Sequence, residues 1–199
     1  MTQPTLPRSR KRPRLTRPTG PPRERPGTPT GEGLGDLLRT MREDLRTVTA
    51  RDPSRATPLD AVLHAPWQGL VLHRFAHRLY VRGHRFGPGL LTWVARMVSG
   101  MEIHAGARIG RRIFIDHGFG VVIGETAVVG DDVTLYHQVT LGSRGWWQDG
   151  GPGARRHPVV GDRVTIGVGA SLLGAITVGD DCPIRAHELV LHDRPGGPR

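Results

Sequence analysis

The chain has 199 residues, carries 28 Lys and Arg against 18 Asp and Glu for a formal net charge of +10, and contains one cysteine, Cys182. A single cysteine excludes an internal disulfide, and this length accommodates one compact domain or two small ones. The start lacks a signal-peptide core, and the apolar run Leu90 to Val98, interrupted by Arg96, falls well short of the roughly 20 residues that span a bilayer, so a soluble protein of the reducing cytoplasm is expected.

Residues 1–32 concentrate the excess charge, with Arg8, Arg10, Lys11, Arg12, Arg14, Arg17, Arg23 and Arg25 against Glu24 in the first thirty positions. Dense in Pro and Thr and nearly without large apolar groups, this leader cannot offset its ordering entropy and is expected to be disordered. No aromatic residues interleave with the arginines to stack on bases, so nucleic-acid binding by the leader is not expected.

Residues 33–100 read as an α-helical domain. Leu34, Leu37, Leu38, Met41, Leu45 and Val48 follow helical spacing and predict one amphipathic helix. Trp67, Leu70, Val71, Phe75, Leu79 and Tyr80 predict a second over residues 67–81, and a third runs from about Leu90 to Val98; all three stripes are expected to face a core. Between the first two, Pro53 disfavours helix at Asp52 and marks a turn. Asp52 is therefore a loop carboxylate, open either to stabilising its own turn or to binding a ligand.

Over residues 101–193 the period changes to six. Ile103, Ile109 and Ile115, then after a two-residue slip Ile123, Val129, Leu135 and Leu141, and after a long interruption Val160, Ile166, Leu172, Val178, Ile184 and Val190, recur at that interval. Four residues past most of these anchors stands a second inward-phase group, Ala107, Ile113, Ala127, Val133, Val139, Val164, Ala170, Ile176 or Cys182. Six suits neither a helix nor alternation along an ordinary strand. It predicts a solenoid of short parallel strands in which each hexapeptide forms one side of a triangular coil, and a packed core position for Cys182. The fold class is thus α+β, helices followed by a parallel β-helix of hexapeptide repeats, with a short tail at residues 194–199.

The repeat breaks twice, and breaks in a regular scaffold are where function concentrates. At Asp116-His117-Gly118-Phe119-Gly120, two extra residues push an Asp–His pair off the coil. From Gly142 to Pro158 a Gly-rich loop carries Ser143, Arg144, Trp146, Trp147, Arg155, Arg156 and His157, long enough to be a lid. Histidine suits general-base work near neutral pH, making His117 and His157 candidates, although taken alone a histidine on a turn is more often a surface group. Glu102 lies less than one three-sided turn before His117, within reach of it by stacking, and a carboxylate partner fixes an imidazole's tautomer.

The runs Glu102 to Gly110, Ile115 to Thr126, Val139 to Gly142 and Arg156 to Pro158 resemble serine O-acetyltransferases, as do Arg51-Asp52-Pro53 and the stretch Arg74 to His77. The resemblance covers roughly residues 34–193 and implies a left-handed coil, acetyl-CoA as co-substrate without a metal, and L-serine as acceptor for cysteine biosynthesis. It places His117 at the general base and Glu102 at its carboxylate partner. Asp52 and Asp116 match groups near the serine ammonium, and Arg156 and His157 the side near its carboxylate. Gly142, Ser143, Gly167, Val168 and Gly169 match the coenzyme wall, Ser143 standing where a second Gly is usual. The family resemblance further implies a homotrimer or dimer of trimers with sites at clefts between subunits, and transfer without an acyl-enzyme.

Some features depart from that pattern. The loop bearing Trp146 and Trp147 is longer than usual, and the last coil reads as degraded, with Arg185 at a small position and Glu188 at an inward one. The chain stops at Arg199 without the family's closing strand and tail, so the complex formed through a C-terminal isoleucine is not expected. Two rival readings follow: a non-catalytic trimeric homologue, and a zinc site of the carbonic-anhydrase type using His104, His117 and His137.

Overall fold

A computed structural model describes residues 33–145 and 153–197. The leader, together with Trp146 and Trp147, therefore lies outside the described residues. Four helices come first: α1 (Leu34–Arg51), α2 (Pro58–Val62), α3 (Ala65–Val81) and α4 (Phe86–Ser99). Among the described residues no helix is long and apolar enough to cross a membrane.

Helix α1 runs three residues past Val48, to Arg51, and α4 starts four residues before Leu90. Helix α2 has no counterpart among the three helices expected from the sequence. Its start is a capping box on Thr57, whose hydroxyl accepts from the Asp60 amide at 3.2 Å while the Asp60 carboxylate accepts from the Thr57 amide at 3.2 Å, with Pro58 preset in the first turn. Helix α4 ends on Gly100, whose φ of 69° is the left-handed conformation that closes helices.

The stripes are core in α1 and α3 only in part, and in α4 they are not. Leu34, Leu38, Leu90 and Val98 are exposed, and Phe86, Leu90, Trp93 and Met97 align on an open side of α4. Helix α4 is apolar nearly all round but packs chiefly on α3, so only its Pro88, Ala95 and Ser99 side is covered.

The remainder is a left-handed parallel β-helix with three sheets. The first contains β1 (Glu102–Ile103), β4 (Val122–Ile123), β7 (Thr140–Gly142), β10 (Ser171–Leu173) and β13 (Leu189–Val190). The second contains β2 (Arg108–Ile109), β5 (Val128–Val129), β8 (Val159–Val160) and β11 (Thr177–Val178), and the third β3 (Phe114–Ile115), β6 (Thr134–Leu135), β9 (Thr165–Ile166) and β12 (Pro183–Ile184). All pairings are parallel and in step, with Ile103 over Ile123, Ile109 over Val129 and Ile115 over Leu135. Every anchor and every second-position residue predicted to point inward is buried, Cys182 included.

Three corners join the sheets, and they organise everything that follows. Among the described residues, the first corner, between first and second sheets, holds 104–107, 124–127, 143–145 and 153–158; the second holds 110–113, 130–133 and 161–164; the third holds 116–121, 136–139, 167–170 and 185–188. The last coil is sounder than its sequence suggests. The Glu188 carboxylate, far from facing the core bare, accepts from the Arg185 amide at 3.0 Å and pairs with Arg194, and Arg194 itself bridges Val178 in parallel register.

Helix α3 lies across the open end of the first coil. Arg74 donates to the carbonyls of Ile109 and Gly110 at 3.3 and 2.8 Å and pairs with buried Asp44 of α1, which also accepts from the Ile113 amide at 3.1 Å. Burial pushes the Asp44 carboxyl upward against the pull of Arg74 and the backbone donors. Further along, His77 Nδ1 meets the Ala105 carbonyl at 2.8 Å.

Candidate active site

The kink at the third corner is built by three residues with positive φ: His117 at 60°, Gly118 at 67° and Gly120 at 75°. Two of these are glycines, for which such angles carry no steric penalty; His117 is the one side chain held there. The backbone is pinned on both sides, by Asp116 N–H to the Leu135 carbonyl at 2.8 Å and by Gly120 N–H to the Gly100 carbonyl at 3.0 Å. The His117 side chain is thereby lifted off the coil, 75% exposed.

Around it stand several polar groups. Asp116 Oδ1 is 3.8 Å from His117 Nε2, an ion-pair distance rather than a hydrogen bond. The ring of His137, one coil further on, sits edge-on at 5.7 Å between centroids. Asp52 caps the end of α1, and its Oδ1 accepts from the Ser54 amide at 2.8 Å and hydroxyl at 2.6 Å. Those bonds hold the Asp52 carboxyl below its ordinary range. Its turn-stabilising role is thus present in the geometry alongside any ligand role.

Sequence reasoning missed His64. It caps α3, accepting from the Trp67 amide at 3.3 Å, and stacks on Phe114 with centroids 6.1 Å apart. Burial depresses its pKa, while the nearby charges of Asp52 and Asp116 pull the other way and that of His117 adds to the depression. His64 therefore ties Asp52, Asp116 and His117 into one neighbourhood. Its position before Ala65-Pro66 was a legible helix start, but nothing in the spacing pointed it at the kink.

Glu102 lies beside the same corner, on β1, and its carboxylate is held by Arg96 of α4 at 3.1 Å. Its hydrogen bond is thus to Arg96, not to His117. Gly167, Val168 and Gly169 also line the third corner, the Gly169 amide donating to the His137 carbonyl at 3.0 Å.

The other predicted residues stand at the first corner. Arg156 Nη2 donates to Glu125 Oε2 at 2.8 Å, and Glu125 Oε1 accepts from the Tyr80 hydroxyl at 2.7 Å. The Tyr80 bond, then the nearby charge of His104 and the pairing with Arg156, lower the Glu125 pKa against the effect of burial. His157 is buried, its Nδ1 2.8 Å from Thr126 Oγ1, and its ring fills the space over Gly124, where an added Cβ would stand 2.0 Å from Nε2. Gly142 and Ser143 begin the loop at this corner. His104, invoked in the zinc reading, is also here, packed edge-on against Tyr80 at 5.8 Å.

The predicted residues therefore fall into two groups on different vertices. Asp52, Glu102, Asp116, His117 and Gly167 to Gly169 gather at the third corner; Gly142, Ser143, Arg156 and His157 gather at the first. A triangle side of six residues spans up to about 20 Å, whereas an amino acid repeats every 3.8 Å or so along a chain. Within one copy the two groups thus stand on separate corners, one triangle side apart.

No protein-family model matches the chain. Among curated proteins it is 47% identical over 164 residues to the serine acetyltransferase of Mycobacterium tuberculosis, covering 80% of this chain and 68% of that one. It is 47% identical over 154 residues to that of Helicobacter pylori, covering 77% and 87%. Among solved structures, serine acetyltransferase from Brucella abortus in complex with coenzyme A aligns with a TM-score of 0.76 at 35% identity, covering 82% of this chain and 64% of that one. The Neisseria gonorrhoeae enzyme in complex with serine aligns at 0.75 and 34%, covering 82% and 65%. The chain thus spans a little under two thirds of these solved relatives.

Proposed function

The chain belongs to the serine acetyltransferase family, and from that premise we propose that it transfers the acetyl group of acetyl-CoA to the hydroxyl of L-serine, yielding O-acetylserine for cysteine synthesis and free coenzyme A. The observation that carries this reading is the imidazole of His117, raised on a kink with Asp52, Asp116 and His64 gathered about it.

His117 takes the proton of the serine hydroxyl as its oxygen attacks the thioester carbonyl. The tetrahedral adduct then collapses, the carbon–sulfur bond breaks, and the imidazolium returns the proton to the departing thiolate. Both substrates are held together, so proximity supplies much of the acceleration and no covalent acyl-enzyme is needed. The Cys182 thiol, raised in pKa by burial, stays out of the chemistry. Glu102 serves as the carboxylate partner of His117 once it turns from Arg96 to the ring. Asp52 and Asp116 offer negative charge to the serine ammonium, and Arg156 and His157 offer donors to its carboxylate. Gly142, Ser143 and the stretch Gly167 to Gly169 face the pantetheine arm.

Because those two groups occupy different vertices, the complete site requires a second copy, whose first corner meets the third corner of its neighbour. A homotrimer closes such a heterologous contact into a ring, and two trimers can join through their helices. The cytoplasm, where acetyl-CoA and serine are supplied, is the compartment this chemistry calls for.

The test is serine-dependent release of free coenzyme A by the native chain and by His117→Ala. A loss of about 10²–10⁴-fold is expected from removing a general base. Equal rates would remove His117 from that role, and no release from the native chain would leave the non-catalytic assembly reading in its place.

A further inference from the structure

Arg156 and His157 are both anchored through the neighbouring pair Glu125-Thr126. Thr126 Oγ1 accepts the backbone amides of Arg156 at 2.9 Å and His157 at 3.1 Å. A hydroxyl has two lone pairs and one proton, so with both pairs engaged the proton points outward, and His157 Nδ1 stands 2.8 Å away. The Thr126 amide also donates to that nitrogen at 3.2 Å. Two donors converging on Nδ1 make it the bare, accepting nitrogen, and the neutral ring then carries its proton on Nε2. On the other side of the pair, Glu125 draws on one of the five guanidinium N–H groups of Arg156 and is itself braced by the Tyr80 hydroxyl of α3.

We propose that Thr126 is a positioning residue that fixes His157 as an Nε2–H donor, while Glu125, braced by Tyr80, aims Arg156, so that an amino-acid carboxylate meets two preset donors. The proposal rests on the reading of Arg156 and His157 as the carboxylate side of a serine site. Thr126, Glu125 and Tyr80 act through the two donors rather than on the substrate. The wrong tautomer of His157 would present a lone pair to an anion, which repels rather than binds it. Preset donors also spare the ordering cost of binding.

Steady-state kinetics of the full chain, with serine and acetyl-CoA varied in turn, test this in Thr126→Val, Thr126→Ser, Tyr80→Phe and Arg156→Ala. Thr126→Val is expected to raise the KM for serine about ten- to a hundredfold, the size of a lost hydrogen bond to a charged group. Its KM for acetyl-CoA and its rate at saturating serine stay within about twofold, Thr126→Ser restores the serine KM, and Tyr80→Phe raises it by a smaller factor. An unchanged serine KM in Thr126→Val and Tyr80→Phe beside a raised one in Arg156→Ala overturns the proposal and leaves the role of Arg156 standing. An unchanged KM in all three removes both. Imidazole ¹⁵N spectra of the unsubstituted protein, assigned by loss of signal in His157→Gln, give a reading independent of how the variants fold. Protonation at Nε2 is the expected result, and protonation at Nδ1 overturns it.

Discussion

His117 owes its exposure to its backbone rather than to its side-chain partners. A left-handed φ on a non-glycine residue is uncommon, and here the kink is over-determined by backbone bonds to Leu135 and Gly100 on either side. At the other corner the constraint is steric. Gly124 lies under His157, and a Cβ there would meet Nε2 at 2.0 Å, so Gly124→Ala must displace the ring. We expect the KM for serine to rise at least about tenfold with little change in that for acetyl-CoA, measured by initial rates; an unaltered serine KM would contradict the place assigned to His157. The sequence made these residues visible unequally. His117 stood out because it broke the six-residue period, and Arg156 and His157 because they closed a long interruption. His64 precedes a helix, Tyr80 sits in an apolar stripe and Thr126 in an ordinary corner turn, and none of these positions distinguishes a polar group that braces a site from one that faces water. Which partner Glu102 binds is a matter of rotamer, and sequence spacing does not encode rotamers.

Helix α3 is the element that joins the two groups of residues to one frame. Its first turn, with His64 and Pro66, packs beneath the kink, and its last turn carries Tyr80 to Glu125. Between them, Arg74 locks α1 and α3 onto the first coil through Asp44. Arg74→Met leaves a buried carboxylate without its counter-charge, and we expect a loss of about 3–5 kcal/mol of stability by chemical denaturation. The same helix predicts a pH dependence. Burial holds His73 well below its ordinary value of 6.5, and His64 and His77 are lowered for the same reason. Below that value the unfolded chain takes up protons that the folded chain refuses, so stability falls as pH drops from about 6.5 toward the depressed folded values. The denaturation midpoint should therefore be lower at about pH 5 than at about pH 7.5, and His73→Gln should flatten the difference. An identical slope in that variant would show that His73 is not the titrating group. The three long helices were legible in their 3.6-residue stripes. Helix α2 was not, because at five residues it is too short to establish a period, and only its Thr57–Asp60 capping box marked it.

At the scale of the molecule, the hexapeptide period was the most legible feature, since each inward position recurs in register through every coil. What the period could not express is how residues close in sequence are dealt out among vertices. His117 and Glu125 are eight residues apart and belong to different corners, whereas His117 and Gly167 are fifty apart and share one. The open apolar side of α4 and the division of the candidate residues between two corners are the features on which the proposed second copy rests. Mixing two impaired variants, assayed at serine well below the raised KM of Arg156→Ala so that each alone is nearly silent, tests that account most directly. His117→Ala retains a sound first corner and Arg156→Ala a sound third corner, so mixed rings regain interfaces with both halves native. Co-refolded in equal amounts, the pair should recover about a quarter of the native rate of serine-dependent coenzyme A release, the statistical share of such interfaces in a cyclic assembly. Activity no greater than the sum of the two variants alone would contradict a site completed by a second copy.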